Sequence, residues 1–344
     1  MTPSKVFLIA FWAAFGIFIG TWVIRVFWRI RSEVKRRAAG DAPLQSTRSV
    51  VWRDPGAADK RDLAAGPGGR DGAPAPPFHF VEEHATGSQP NVSVRDSRER
   101  VWRVKWGAEV HTEAFATRFA WAAGYFVETA YFVPDGIIEG AAELQRARAC
   151  IDPEGHFRDG RFELDEHGVV KHFDEHGWAW NDNPFVGTRQ LDGLKIVVML
   201  LSNWDSKDRR DVSRGSNTAI FEYRASRLST EARYLITDWG GAMGRWGTTV
   251  VSRGRWDAEG FEAQTPGFIA GVHDGVVDFG YQGQRSEIGR GIPIAHVRWF
   301  YRKVRQITEP ALRTGLLASG ATGEEAARFA RSMMVRIEAL GRVR

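Results

Sequence analysis

Five charged residues stand out in this 344-residue chain because their types and order suit one kind of chemistry. Lys105 lies in WRVKWG and Glu113 follows eight residues later, whereas Asp205 and Lys207 lie in NWDSKD and Asp238 in LITDWGGA. Phosphoryl transfer from a nucleotide requires a cation on the phosphates and an anion that orients that cation. It also requires a carboxylate near the accepting hydroxyl and oxygen ligands for magnesium. These residues therefore indicate phosphoryl transfer.

The first pair requires a strand followed by a helix. Runs typical of strands occur at 78–83, 91–96 and 100–107, separated by turn-forming residues, which predicts an antiparallel meander. The next segment, HTEAFATRFAWAAGYF, has a helical period and reaches a glycine at its end. Lys105 is thus expected on the third strand and Glu113 in the first turn of the helix.

The downstream residues require a helix and a strand that end close together. GLKIVVMLLSNW predicts a largely buried helix that delivers Asp205 and Lys207. YLIT predicts a strand running into Asp238, Trp and Gly, where the glycine permits the backbone to reverse. Farther on, Thr322 and Glu325 form a capping box before an apolar stripe, so the chain is expected to end in a helix.

Three segments carry a family resemblance that covers roughly residues 78–245. HTEAFATRFAWAAGYFVETAYFV resembles the helix and strand of HipA-like and other atypical kinases, and TGSQPNVSV resembles their loop over the nucleotide phosphates. WAWNDNPFVGTRQLDGLKIVVMLLSNWDSKD resembles a group of uncharacterised bacterial proteins, membrane-anchored or exported, of the same superfamily. The resemblance implies an α+β, two-lobed protein-kinase-like fold, with an antiparallel-sheet N-lobe and a mainly helical C-lobe. It also implies ATP and Mg²⁺ as cofactors.

The same resemblance implies which residues contact the nucleotide. Lys105 would contact the phosphates and Glu113 would orient it. Gly87, Ser88 and Gln89 would belong to the loop over the phosphates, although Asn91 stands where a lysine is more usual.

The resemblance also implies a catalytic pair and a metal site. Asp205 would be the catalytic base, with Lys207 beside it, and Asp238 would bind magnesium. The pattern departs from the family at the second metal ligand, because Arg210 stands where an asparagine is expected. Asn217 fills that role if RRDVSRG is an insertion.

Asp211 is the other candidate for that second metal ligand. The departure leaves open a protein that has the fold but binds nucleotide poorly or not at all.

An uncharged apolar run near the N-terminus predicts one uncleaved transmembrane helix over residues 6–28. Basic residues crowd behind it, so the positive-inside rule places the C-terminal bulk in the cytoplasm of a bacterial inner membrane. The periplasmic face is the alternative. Gly16 and Gly20 form a GxxxG pair that would permit a weak homodimer through this helix.

The composition divides the chain into segments and excludes other functional classes of protein. The predicted parts are an N-terminal flank (1–5), the transmembrane helix (6–28), a basic and Gly/Pro/Ala-rich linker (29–76) with room for one short ordered piece near residues 49–52, the N-lobe (77–145), an inserted hairpin or loop region (146–188) and the C-lobe (189–344). The single cysteine, Cys150, excludes intrachain disulfides. Much of the net charge of +5 belongs to the membrane-proximal segment, so no nucleic-acid partner is expected.

The segment with many histidines permits two interpretations. His156, His167, His172 and His176 lie among acidic residues, which suggests a metal site. Their spacing matches no compact ligand motif, so a solvated hairpin is favoured. No glycine elbow surrounds a serine, and the glycine-rich GPGGRDG lacks a preceding strand, so neither a hydrolase nor a Rossmann enzyme is expected.

The leading functional prediction is a membrane-anchored, ATP-dependent phosphotransferase that acts on an unknown acceptor. The alternative is a catalytically inactive, pseudokinase-like scaffold tethered to the membrane. Magnesium-dependent turnover distinguishes the two.

Overall fold

The computed structural model describes residues 46, 48–57, 60–85, 89–224 and 229–344. Its strands are β1 (Arg48–Val50), β2 (Phe78–Glu83), β3 (Asn91–Arg95), β4 (Val101–Lys105), β5 (Ala130–Glu139), β6 (His156–Leu164), β7 (Val170–His172), β8 (Thr218–Arg224), β9 (Thr230–Ile236), β10 (Ile269–His273), β11 (Val276–Phe279) and β12 (Ile292–Pro293). Its α-helices are α1 (Val110–Ala122), α2 (Arg189–Leu200), α3 (Ala258–Gln264), α4 (Ile294–Val304), α5 (Glu309–Leu317) and α6 (Gly323–Arg342). The fold is therefore mixed α+β.

Five strands close into a barrel in the order β2-β3-β4-β6-β5. Side chains alternate along a strand, so one set fills the interior while the other faces outward. Val92, Trp102, Val104 and Phe162 are fully buried inside. The outward set on β4 includes Lys105, which the register places opposite the β6 residue Arg161. The predicted meander is confirmed, and its outer face is polar.

Helix α1 packs against this barrel and is buried on nearly every side. Its alanine-rich sequence permits close approach to neighbours and favours the helical state. The helix ends before Gly124, which has a φ of +96°. A Cβ at this position would stand 2.4 Å from the carbonyl oxygen of Arg53, so glycine is required for the chain to turn there.

The remaining strands form a four-stranded sheet of order β1-β9-β8-β7 and a three-stranded sheet of order β10-β11-β12. The four-stranded sheet shares one hydrophobic core with helix residues through Ile220, Tyr234 and Ile236. Helix α2 begins after Thr188, whose side chain accepts a hydrogen bond from the backbone N–H of Leu191. This helix is mostly buried, as predicted, and contacts α4. The capping box of Thr322 and Glu325 is also present at the start of α6, which confirms the predicted C-terminal helix.

Two predicted segment boundaries differ from the structure. Residues 156–164, placed in the inserted region 146–188, form β6, which pairs with both β4 and β5 inside the barrel. The turn-forming residues on both sides concealed this strand. Part of the predicted linker 29–76 is also packed, because β1 pairs in parallel with β9 and Leu63 is buried.

The four histidines lie in different surroundings. His156 begins β6 in the barrel, whereas His172 ends β7 in the other sheet and contacts Glu222 at 3.3 Å. His167 is exposed in the turn before β7. The structure thus distributes these side chains, and the segment that holds them is not a single solvated hairpin.

Among the described residues, no helix is both long and apolar enough to span a bilayer. The predicted transmembrane helix over residues 6–28, with Gly16 and Gly20, lies outside the residues that the structure describes. Its presence stays a prediction.

Candidate active site

Lys105 and Glu113 form an ion pair between the barrel and α1. Lys105 ends β4 with its side chain directed out of the barrel, and its Nζ lies 3.1 Å from Oε1 of Glu113. The Glu113 side chain is only 1% exposed. Burial disfavours the charged ammonium, but the carboxylates of Glu113 and Asp238 outweigh it and raise the pKa of Lys105. The structure therefore brings this predicted pair together, while burial raises the pKa of the Glu113 carboxyl against the opposing charges of Arg161 and Lys105.

A second cation, Arg161, contacts the same glutamate and was missed from the sequence. Its Nη1 lies 2.6 Å from Oε2 of Glu113, and its Nη2 lies 2.8 Å from Oε2 of Glu163. Burial opposes the charge, but these two carboxylates raise the pKa of Arg161 above its usual value. Polar and apolar residues alternate in GRFEL, which places Arg161 and Glu163 on one face of a strand. This pattern could have predicted the pair from the sequence.

Three carboxylates lie close together at the N-terminal end of α1. Oxygens of Glu109, Glu113 and Asp238 all lie within 4.8 Å of one another. Hard oxygen donors of this kind suit Mg²⁺ or Mn²⁺. Sequence reasoning missed Glu109, whose signal was its position one helical turn before Glu113. Glu109 also pairs with Arg255, at 2.5 Å between Oε1 and Nη1.

Asp238 is positioned by the turn that follows β9. The backbone N–H of Gly240 donates to Oδ1 of Asp238 at 2.8 Å, which orients the carboxylate. A Cβ at Gly240 would lie 2.7 Å from Cδ of Glu109, and one at Gly241 would lie 2.8 Å from Cβ of Asp205. The two glycines therefore let the Asp238 turn approach both neighbouring carboxylates.

Asp205 and Lys207 follow α2 in a loop beside that turn. Nζ of Lys207 lies 3.4 Å from Oδ2 of Asp205. The side-chain amide of Asn203 donates to the carbonyl oxygen of Asp238 at 3.4 Å, and the N–H of Trp204 donates to the carbonyl oxygen of Gly241 at 3.3 Å. These bonds join the two loops, so the predicted catalytic and metal-binding aspartates belong to one site.

Asn217 lies at the far end of the same loop. Its Nδ2 donates to the carbonyl oxygen of Asp205 at 2.6 Å, and its own carbonyl accepts from the N–H of Thr237 at 3.0 Å. Residues 209–214 between them form a short 3₁₀ segment. Asn217 therefore lies next to Asp205 although residues 209–214 separate them in sequence, as expected if RRDVSRG is an insertion.

The alternative metal ligand, Asp211, is already engaged. Its two carboxylate oxygens contact the guanidinium groups of Arg214 and Arg285. Arg210, at the position where an asparagine was expected, instead bonds to Asp208. The arrangement favours Asn217 over Asp211 as an oxygen donor beside Asp205.

The predicted phosphate loop is described only in part. Gly87 and Ser88 lie outside the described residues. The backbone carbonyl of Gln89 accepts a hydrogen bond from Nδ2 of Asn91 at 3.0 Å, and its side chain packs on Gly107 just before α1. The described part of this segment thus borders the start of α1.

No protein-family model and no curated protein matches the chain. Among solved structures, the Golgi casein kinase with Mn/ADP bound aligns over 78% of this chain and 73% of its own, at 10% identity and a TM-score of 0.36. Another structure of the Golgi casein kinase aligns over 78% and 74%, at 11% identity and a TM-score of 0.31. Because both TM-scores are below 0.5, the candidate site is assigned from the positions of its own residues.

Proposed function

We propose that this protein is a phosphotransferase that uses a nucleoside triphosphate and a divalent cation. The observation that carries the proposal is the meeting of Lys105, Glu113 and Asp238, with Asp205 on the loop that is hydrogen-bonded to the Asp238 turn. Phosphoryl transfer is catalysed mainly by positioning and charge neutralisation, and this arrangement supplies both.

Each residue has a distinct role in the proposed reaction. Lys105, held by Glu113, binds phosphate oxygens, and Asp205 accepts the proton of the acceptor hydroxyl. The hydroxyl oxygen forms a bond to the γ-phosphorus while the bond to the β-phosphate oxygen breaks, so a nucleoside diphosphate leaves. Asp238, with Asn217 and Glu109, would hold Mg²⁺, which neutralises charge on the phosphates.

The protein is also proposed to act at a membrane surface. The support is the apolar run over residues 6–28 and the basic residues behind it. A cytoplasmic site would have access to nucleoside triphosphates, whereas a periplasmic site would lack them. A reporter fused to the C-terminus that is active only in the cytoplasm tests this orientation, and a periplasmic result contradicts it.

One contact favours a second candidate, an inactive scaffold. Nε2 of Gln284 donates to Oδ1 of Asp205 at 3.1 Å, so a neighbouring segment engages the atom that would accept the proton. The backbone N–H of Gln284 also donates to the carbonyl oxygen of Trp204 at 2.8 Å. A scaffold would retain this contact permanently, whereas an enzyme must release it when the acceptor binds.

Turnover of the purified full-length protein in detergent micelles separates the candidates. We expect Mg²⁺-dependent release of nucleoside diphosphate from ATP or GTP, lowered about 100-fold or more in Asp205→Asn. Asp274→Asn, in an exposed turn, is the matched control and should retain activity. Turnover that is absent, or equal in wild type and Asp205→Asn, would leave the scaffold as the better account.

A further inference from the structure

A cavity of about 450 Å³ lies beside the proposed phosphate site and is not used by the chemistry above. Its wall includes Arg103 and Glu163, which face each other across β4 and β6. The next outward-facing pair along the same strands is Lys105 and Arg161. Successive outward residues on a strand are ~7 Å apart, so the cavity begins one step along the barrel from Lys105.

This position determines which part of a nucleotide the cavity would receive. If Lys105 binds the phosphates, the sugar and base extend either toward the Asp238 turn or along β4 toward Arg103. The turn side is closely packed, because a Cβ at Gly240 would lie 2.7 Å from Cδ of Glu109. A base that extends along β4 toward Arg103 enters the cavity, whose volume suits a base with part of its sugar.

The wall of the cavity is rich in charged groups. Arg103 and Lys171 supply donors and Glu163 supplies acceptor oxygens, whereas burial raises the pKa of Glu128 to about 8, so that its carboxyl keeps a proton near neutral pH. Glu128 is only 8% exposed, and Nζ of Lys171 lies 4.0 Å from its Oε1. The Arg103 side chain is fixed by a 3.0 Å hydrogen bond from its Nε to Oδ1 of Asn91. A base bound here would meet both cationic donors and carboxylate acceptors.

Guanine and adenine present different edges to such a wall. Guanine has adjacent N–H donors at N1 and N2, which one carboxylate can accept together, and acceptors at O6 and N7, which arginine or lysine recognises. Adenine has an acceptor at N1 beside its single amino group. An adenine N1 facing Glu163 would be left unpaired, which costs binding energy in a buried site.

We infer that the cavity selects the guanine base, so that the phosphoryl donor is a guanine nucleotide rather than ATP. Glu163 accepts the N–H groups of the base, and Arg103 donates to its acceptor edge. The ion pair with Arg161 keeps Glu163 available as a charged acceptor, and the pKa of Glu163 is lowered to about 2, since that cation outweighs burial. This inference rests on the proposed function.

Titration of the full-length protein with four Mg²⁺-nucleotides tests it. We expect GTP to bind at least about tenfold more tightly than ATP, CTP or UTP, and Arg103→Leu to reduce the GTP-to-ATP ratio toward one. Arg95→Leu, an exposed arginine on the neighbouring strand, is the control and should leave the ratio unchanged. Weak but retained triphosphate binding in Arg103→Leu shows that the variant is folded.

The outcomes separate the two proposals. If ATP, CTP or UTP binds as tightly as GTP, the base selection is overturned while nucleotide-dependent transfer stands. If the ratio survives in Arg103→Leu, the cavity is not where the base binds. If none of the four nucleotides binds to wild type, the proposed function itself fails and the base selection fails with it.

Discussion

Arg161 and Arg336 are both buried arginines, but their charges are compensated in different ways. Arg161, on the barrel, lies between the carboxylates of Glu113 and Glu163, and each contact is shorter than 3 Å. Arg336, on α6, is fully buried and donates hydrogen bonds to neutral hydroxyl and carbonyl oxygens. Burial lowers the pKa of Arg336 well below its usual value, whereas the two carboxylates raise that of Arg161.

The partners of Arg336 join three parts of the helical region. Its Nη1 donates to Oγ of Ser202 at 2.7 Å and to the carbonyl oxygen of Leu200 at 3.0 Å. Nη2 donates to the carbonyl oxygen of Phe261 at 2.9 Å, and Nε donates to Oγ1 of Thr265 at 3.0 Å. The hydrogen bonds of Arg336 therefore stabilise the end of α2, immediately before the loop that carries Asp205.

The comparison distinguishes an ionic site from a structural support. Glu113 contacts both Arg161 and Lys105, so a phosphate or metal ion bound at the proposed site would compete for the same groups. The bonds of Arg336 are all internal to the fold and are not adjacent to the proposed ligand. We expect substitutions around Arg336 to change stability alone, and those around Arg161 to change both stability and binding.

The largest effect is expected for Arg336→Met. The variant keeps apolar volume but leaves buried carbonyl and hydroxyl groups without their donor, which should reduce the free energy of unfolding by about 3 to 5 kcal/mol. Urea denaturation followed by tryptophan fluorescence measures this loss. Arg331→Met, at an exposed position of the same helix, is the control and should change it by less than ~0.5 kcal/mol. Equal effects of the two changes would contradict the structural role of Arg336.

A smaller loss is expected for Glu113→Gln. The change leaves Arg161 and Lys105 with less negative charge in a buried site, which should reduce the free energy of unfolding by about 3 kcal/mol. It should also weaken Mg²⁺-nucleotide binding, unlike Arg336→Met. Denaturation and nucleotide titration of both variants measure the difference.

Glu109→Gln is the control for that change, because the Glu109 side chain is 12% exposed and its cation is Arg255. It should destabilise the protein less than Glu113→Gln. A stability change below ~0.5 kcal/mol for Glu113→Gln would show that Glu113 is already protonated in the native state.

The smallest effect is expected at Glu128 and depends on pH. Burial, followed by the charge of Glu163, raises the pKa of Glu128 to about 8, although Lys171 and Arg161 oppose this. Between about pH 4.5 and 8 the unfolded state releases this proton and the native state keeps it, so native stability falls as pH rises. Glu128→Gln lacks this titration. When the pH rises from 4 to 9, its free energy of unfolding should therefore increase by at least ~1.4 kcal/mol relative to that of wild type.

Denaturation at the two pH values measures that gain. The exposed Glu324→Gln is the control and should follow the wild-type pH dependence. A parallel pH dependence of Glu128→Gln and wild type would show that Glu128 titrates normally in the native state.

Local signals predicted the elements that carry the candidate site. The strand with Lys105, the helix with Glu113 and the buried helix before Asp205 all follow from periodicity and from glycine or capping residues near their ends. These signals depend on residues close in sequence, so one chain suffices to recognise them. The boundaries agree within a few residues.

Nonlocal pairing produced the errors. The nine-residue sequence of β6 is rich in charge, and only its pairing with β4 and β5 makes it a barrel strand. Arg161 was overlooked for the same reason, since its importance comes from Glu113, which is distant in sequence. Likewise, β1 overlaps the short ordered piece expected near residues 49–52 of the linker, but its parallel pairing with β9 was not predicted.

The sequence by itself determined the identity and order of Lys105, Glu113, Asp205 and Asp238, and the type of element on which each lies, because periodicity and turn chemistry are local. Only the tertiary structure decided which charges share a buried volume. It added Glu109 and Arg161 to the site and favoured Asn217 over Asp211. The physical reason is that charge compensation depends on distances of a few ångströms, which the packing of distant segments sets.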